Sequence, residues 1–315
     1  MKICYEPKSF YAKALIDIER INAICEENAA QGLTTTSRNI LYRFVGNNWA
    51  KNGYNVYKRL QRMIREARYA GLIDWDHIVD EGRGLHDFNV WNGLADFVTD
   101  VPWFYNIDKW AEHPTRIEAW TEKDGLPTVL KAACTEFDVP YFSCHGYDSA
   151  TEIFGAAQRL GRYCKSGQGV VVLHLGDHDP SGVHMDTNLE DRLRQMIGHD
   201  IGDGAAKLLE VKRIALTREQ VDENHLPPNK LKTKKDGSFS DTRAPSYVAE
   251  HGVESWEIDA LEPSTLLALL RDEINLYRDP VLWDAALARE DREQQKLLTI
   301  ADRFDEVCEF LGMPS

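Results

Sequence analysis

The sequence predicts an α/β fold: an N-terminal helix-turn-helix region, then a parallel sheet flanked by helices, then a helical C-terminal extension. Three observations predict it. Apolar residues recur at helical spacing in three short segments before Gly71. From Arg116 onward short β-rich runs alternate with helical ones, the pattern of a parallel sheet covered on both faces. Beyond Glu254 the chain is mostly helical and acidic. The expected division is a first domain over 1–110 and a second over 111–315.

In order, residues 8–31 carry Ala12, Leu15, Ile16, Ile18, Ile21 and Ile24 as a broad apolar stripe, closed by Gly32. Thr36 or Ser37 can cap a second helix running to about Trp49. Asn52-Gly53 marks a turn, and a third helix spans roughly 54–70, with Val56, Leu60, Met63, Ile64 and Ala67 on one face. Lys58, Arg59, Arg62, Arg65 and Arg68 occupy the opposite arc. Gly71 ends it, and 72–79 reads as an extended wing before Glu81-Gly82-Arg83-Gly84. Three helices and a wing put the third helix in the DNA-recognition position. The aromatics Phe88, Trp91, Phe97, Trp103, Phe104, Tyr105 and Trp110 have mostly acidic or neutral neighbours, so a core between domains is expected rather than a base-stacking surface. Strands then follow at 116–122, 140–145, 169–175 and 209–216, with helices at 126–137, 149–163 and 182–197. The stretch 222–246, with Pro227-Pro228 and Lys230-Leu231-Lys232-Thr233-Lys234-Lys235, reads as a long loop.

A mean hydropathy of −0.45 fits a water-soluble protein, and no apolar run approaches the ~20 residues of a membrane helix. The N-terminus lacks an apolar signal core, so a cytoplasmic, DNA-associated location is expected. Six cysteines are scattered without a Cys-x-x-Cys pair, which points to reduced thiols. A net charge of −14 argues against nucleic acid for the chain as a whole. Its distribution argues otherwise: Arg38, Arg43, Lys51, Lys58, Arg59, Arg62, Arg65 and Arg68 face Glu66 alone between 38 and 69, and local field decides where DNA docks.

The chemistry is expected at strand ends. Glu122-Lys123-Asp124 follows one strand, and Gly176-Asp177-His178-Asp179-Pro180-Ser181-Gly182 follows another. Parallel sheets carry functional groups at the carboxyl ends of their strands. If these two strands are neighbours, Glu122, Asp177 and Asp179 converge, and three carboxylates suit a hard cation, Mg²⁺ or Mn²⁺. The other reading of Asp177 and Asp179 is capping of the following helix. His174, His178 and His184 lack zinc-ligand spacing, and alternation turns His178 away from its flanking aspartates. Four residues apart on the second helix, Arg38 lies beside Tyr42; a guanidinium there favours the phenolate and can hold a phosphate. Tyr42 also reads as a buried helix aromatic beside Leu41 and Phe44.

These two strand-end motifs resemble the metal-binding motifs of a Toprim domain, in the version found in topoisomerase VI A subunits and the related meiotic double-strand-break proteins. Thr36-Ser37-Arg38-Asn39-Ile40-Leu41-Tyr42-Arg43 resembles that family's winged-helix segment, where an arginine precedes the nucleophilic tyrosine by four residues. Trp256-Glu257-Ile258-Asp259-Ala260-Leu261-Glu262-Pro263 resembles a segment after its Toprim core. The resemblance covers most of the chain in order. It implies a DNA-cleaving homodimer in which Tyr42 becomes linked to a 5′ phosphate, with Arg38, Glu122 and Lys123 as catalytic residues and Glu122, Asp177 and Asp179 as metal ligands. It also implies that the tyrosine of one subunit meets the metal site of the other. Double-stranded DNA would lie on Arg43, Lys58, Arg59, Arg62, Arg65 and Arg68. Asn39 and Leu41 depart from the family's common acidic residue and first tyrosine. With no ATPase domain evident, strand passage would need a separate ATPase subunit. Two alternatives stand beside this reading: a Toprim nuclease using metal-activated water, and a non-catalytic DNA-binding protein.

Overall fold

The computed structural model describes residues 1–78, 89–123, 126–143 and 150–313. It divides into two compact units: Met1–Arg83 with Ile117–Leu276, and Gly84–Arg116 with Tyr277–Ser315. The expected boundary at residue 110 is therefore not where the chain divides. The N-terminal helices join the rest of this unit through residues more than 200 positions away: Arg38 bonds Glu257, Asn39 donates to the Asp259 carbonyl and Arg43 bonds Glu262.

The first unit begins with α1 (Ala12–Ala29), α2 (Ser37–Gly46) and α3 (Tyr54–Tyr69). Ile18, Ile21, Ile24, Ile40, Phe44, Leu60 and Ile64 bury their side chains in a common core. Thr36 caps α2 by accepting the Asn39 N–H at 3.2 Å. Gly32 and Gly71 follow α1 and α3 at φ +72° and +73°, left-handed backbone that favours glycine. The wing is not formed as a strand among the described residues: 72–78 makes an isolated bridge from Ile78 to Thr35. Glu81-Gly82-Arg83-Gly84 lies outside the described residues. The helix α4 (Leu94–Phe104) belongs to the second unit.

The sheet holds β1 (Thr115–Thr121), β2 (Tyr141–Ser143), β3 (Gly169–Leu175) and β4 (Leu209–Ala215), in the order β2-β1-β3-β4, all parallel. Parallel pairing requires crossovers, supplied by α5 (Pro127–Glu136), α6 (Ala150–Lys165), and α7 (Pro180–Asp200) with α8 (Asp203–Ala206). The α/β class expected from the alternation is the class observed. β3, central and apolar, is buried from Val170 to Leu175. Leu160, Val172, Leu193, Ile197 and Leu209 pack the helices onto it.

After β4 come α9 (Arg218–Glu223), β5 (Asn229–Lys230), α10 (Ala244–His251) and β6 (Glu254–Ser255). A 3₁₀ turn at Ile258–Ala260 leads into α11 (Pro263–Tyr277). The stretch expected as a plain loop is thus partly ordered, since β5 pairs antiparallel with β6.

In the second unit α4 packs against α12 (Pro280–Asp302), followed by α13 (Phe304–Phe310). Of the aromatic run expected to be core, Trp110 is buried against Trp283 at 5.8 Å between centroids. Trp91, Phe97, Trp103 and Phe104 are exposed, because α4 finds a partner on one side only; Phe88 lies outside the described residues. No helix of the described residues is long and apolar enough to cross a membrane. Cys25, Cys134 and Cys164 are buried free thiols, Cys4 and Cys308 are free and more accessible, and Cys144 lies outside the described residues.

Candidate active site

The order β2-β1-β3-β4 makes β1 and β3 neighbours, so their carboxyl ends meet. The Asp177 N–H donates to Glu122 Oε1 at 3.3 Å, joining the two motifs directly. The three carboxylates nevertheless face different partners. Asp177 Oδ2 pairs with Lys123 Nζ at 2.7 Å, and its Oδ1 accepts the Ile258 N–H at 2.9 Å. Asp179 caps α7, accepting the Gly182 N–H at 2.7 Å. Among the described residues no group of three or more His, Cys, Asp or Glu side chains is arranged to hold a metal ion. Asp124, next in the first motif, lies outside the described residues.

Two carboxylates not singled out in the sequence complete the cluster. The backbone of Trp256 pairs with that of His178 through two hydrogen bonds, which brings the 3₁₀ turn beside the β3 end. Glu257 pairs with Arg38 and lies 3.4 Å from Lys123 Nζ. Asp259, only 4% exposed, lies 3.3 Å from Arg38 Nε and 3.8 Å from Lys123 Nζ. Glu122, Asp177, Asp179, Glu257 and Asp259 outnumber Lys123 and Arg38. By oxygen chemistry and by charge the set fits a hard divalent cation, although the side chains do not converge on one.

Tyr42 is buried on α2, and Glu257 and Asn229 both bear on its hydroxyl. Burial pushes the phenol upward, Glu257 pushes the same way, and Arg38 opposes both without prevailing. Arg38 thus favours the phenolate in the expected direction but is outweighed, and its guanidinium is also held by Glu257 and Asp259. Burial opposes the charge on Lys123, yet Asp177, Asp259 and Glu257 together raise its pKa, so it stays an ammonium. Burial also works against ionised Glu257, but Lys123 and Arg38 overcome it and hold its carboxyl below the ordinary range.

A cavity of about 490 Å³ opens beside these groups, lined by Arg38, Lys123, Asp177, Asp179, Asn229 and Glu257 among others. Asn229 and Glu257, the two groups that bear on the Tyr42 hydroxyl, stand in its wall.

Asp177 sets a pH dependence. Burial pushes its carboxyl up to about 7 from an ordinary 3.8, with Lys123 and the Ile258 N–H pulling down and losing. The folded chain therefore keeps this proton to about pH 7, while the unfolded chain releases it near 4. Stability attributable to this group should fall as pH rises from about 4 to about 7 and level off above, by on the order of 2–4 kcal/mol. Thermal melts with chelator at pH 5.5 and pH 8 check this, and Asp177→Asn should flatten the difference. An equal slope in that variant would place the cause elsewhere.

Of the expected DNA contacts, Lys58, Arg59, Arg62 and Arg65 are exposed on α3 and form no ion pair among the described residues. Glu66, the one acid in that helix, is paired with Lys8 at 2.9 Å. Arg43 and Arg68 instead make contacts within the chain. Arg43 pairs with Glu262 and Glu27, and Arg68 stacks on Trp75 at 4.6 Å and donates to its carbonyl at 2.7 Å. A pocket of about 510 Å³ runs along this face, lined by Ser37, Lys58, Arg62, Arg65, Arg68 and Trp75 among others.

Of the three histidines, His174 pairs with Asp186 at 2.5 Å, and His178 packs among Tyr247, His251 and Trp256, away from the cavity. Arg213, on β4, was also missed. It donates to the carbonyls of Gly176 and Asp177 at 3.1 Å each and to that of Gly182, and pairs with Asp186, clamping the loop that carries Asp177. No family model matches this chain, and no curated protein matches it significantly.

Proposed function

We propose that the chain is a metal-dependent DNA-cleaving enzyme of the topoisomerase VI A type, a winged-helix region and a Toprim sheet making strand breaks by tyrosine transesterification. One observation carries the reading. Arg38 from α2, Lys123 from the β1 end, Asp177 from the β3 end and Glu257 from the 3₁₀ turn line one cavity, although they are up to 219 residues apart, and Glu257 bears on the buried Tyr42 phenol behind them. Such a meeting of phenol, cations and carboxylates is what phosphoryl transfer to a tyrosine needs.

In the proposed step Tyr42 Oη attacks phosphorus and its proton passes to the Glu257 carboxylate. The P–O3′ bond breaks, the 3′ oxygen takes a proton from solvent, and a 5′-phosphotyrosyl bond remains. Arg38 and Lys123 neutralise the phosphate oxygens. Glu122, Asp177 and Asp179 would hold Mg²⁺ or Mn²⁺, which supplies stabilisation of charge developing on the phosphoryl group. Because the phenol starts buried and protonated, a nearby acceptor matters more than a favourable resting pKa. A homodimer suits a double-strand break, which needs two nucleophiles. In such a dimer the family's arrangement would bring the tyrosine of one subunit to the metal site of the other. Any ATPase subunit would be a separate protein.

Mapping the 5′ ends of cleaved duplex with and without protease tests the reading. Ends blocked until protease is added support it; free 5′ phosphates from the outset would favour hydrolysis by metal-activated water. That second reading draws on the burial of Tyr42, which a nuclease would not need to expose.

DNA affinity should depend on the exposed arc of α3. Replacing Arg59, Arg62 and Arg65 by Ala should lower the slope of log K against log salt by about 2–3, since each phosphate contact contributes about 0.9. A triple variant that binds like wild type would remove α3 from the DNA-facing surface.

A further inference from the structure

The lysine run Lys230–Lys235, unused by the chemistry above, is part of an ordered hairpin. Its base is the β5–β6 pairing, with Asn229 opposite Ser255 and Lys230 opposite Glu254. Farther out, Thr233 bridges Phe239, Ser240 N–H donates to the Lys232 carbonyl at 2.9 Å, and Lys234 N–H donates to the Ser238 carbonyl at 2.7 Å. Asp236-Gly237 turns the tip, with Gly237 at φ +84° and the Asp236 carboxylate accepting the Ser238 N–H at 3.0 Å.

Lys230, Lys232 and Lys234 recur at every second residue along this segment, alternating with Leu231 and Thr233. Lys230 and Lys232 line the cavity that holds Arg38, Lys123, Asp177 and Asp179. All three lysines are exposed, and none forms an ion pair among the described residues although carboxylates line the same cavity. Asp177 is taken by Lys123, Glu257 by Arg38 and Asp241 by Arg243, while Asp179 caps α7. The row begins beside Asn229, which lines the same cavity, bears on the Tyr42 hydroxyl and accepts from Asn52 Nδ2 at 2.7 Å.

We propose that Lys230, Lys232 and Lys234 form a phosphate track that grips the backbone of the nucleic-acid strand beside the phosphate facing Tyr42. The identity of the partner rests on the DNA-cleaving reading. A nucleic-acid strand carries one negative charge per nucleotide, and a row of like-spaced, unpaired ammonium groups meets it without reading bases. The hairpin therefore supplies affinity at the cutting point, separately from the basic arc of α3, and independently of sequence.

The test uses the full chain in a Tyr42→Phe background, so that binding is read without cleavage. Lys230→Gln, Lys232→Gln and Lys234→Gln are combined, and a second protein carries Lys131→Gln, Lys165→Gln and Lys207→Gln, exposed lysines of equal total charge elsewhere. Anisotropy with a fluorescent duplex and a fluorescent single strand is followed across a salt series. The hairpin variant should lose at least about tenfold in affinity at low salt, its salt slope falling by about 2–3; the control should keep the parent's slope. An unchanged slope in the hairpin variant, or an equal fall in the control, overturns the track. Absence of nucleic-acid binding by the parent overturns both the track and the function it rests on. Lysine-dependent binding by a chain whose Tyr42 parent never cleaves DNA keeps the track and removes the enzyme.

Discussion

Tyr42→Phe should abolish protease-sensitive protein–DNA adducts and double-strand breaks while leaving duplex affinity within about twofold. The substitution removes one oxygen and keeps the ring, so the buried packing of α2 is retained. Its structural cost is the loss of the hydroxyl's interactions with Glu257 and Asn229, about 1 kcal/mol. Neither partner is stranded: Glu257 keeps Arg38 and Lys123, and Asn229 keeps Asn52. A nucleophile cannot be replaced so lightly, because no covalent intermediate forms without the phenolic oxygen. Glu257→Gln is the companion change. It leaves the phenol in place but removes the proton acceptor, and should slow adduct formation by about 10²–10⁴-fold, the usual contribution of a positioned base. Adduct-free cleavage at the wild-type rate by Tyr42→Phe would transfer the site to hydrolysis, with Tyr42 a core aromatic.

The elements of the sheet were legible because apolar periodicity is local. β1, β3 and β4 fall within a residue or so of their expected bounds, and Thr36, Gly32 and Gly71 do the capping their chemistry suggests. The wing was not legible: an extended run such as 72–78 becomes a strand only if a partner pairs with it, and here only Ile78 does. The hairpin at 229–240 carried a signal that was passed over, Asp236-Gly237 between alternating lysines. For the site, sequence located Glu122, Asp177 and Asp179 because strand ends gather functional groups. It did not reveal Glu257 and Asp259, whose importance depends on Arg38 some 220 residues away. Nor did it reveal Arg213, which reads as an ordinary residue of β4 until its guanidinium is seen on the Gly176, Asp177 and Gly182 carbonyls. Charges were legible as charges; which of them pair was not, as Arg43 shows with Glu27 and Glu262.

Gly182→Ala should be the most damaging small substitution in the site, lowering stability by about 1–3 kcal/mol or more and cleavage by more than about 100-fold. A β-carbon at 182 would lie 2.2 Å from the Asp177 carbonyl oxygen and 3.1 Å from its carbonyl carbon. Both are backbone atoms, so no side-chain rotation relieves the overlap. Arg213 tightens the constraint by donating to the carbonyls of Asp177 and Gly182 together. The first turn of α7 would have to move outward, straining the Asp179 cap on the Gly182 N–H and shifting Asp177 from Lys123. Gly155→Ala provides the contrast. That glycine is exposed on α6 and an added β-carbon meets nothing within 4 Å, so the change should stabilise by about 0.8–1 kcal/mol through helix propensity alone. Melting curves and cleavage assays on the two variants should therefore move in opposite directions from wild type in stability, with cleavage lost in only one. If Gly182→Ala instead melted and cleaved as wild type, the 176–182 loop would be free to relax, and close placement of Asp177 against α7 would not be what makes the site work.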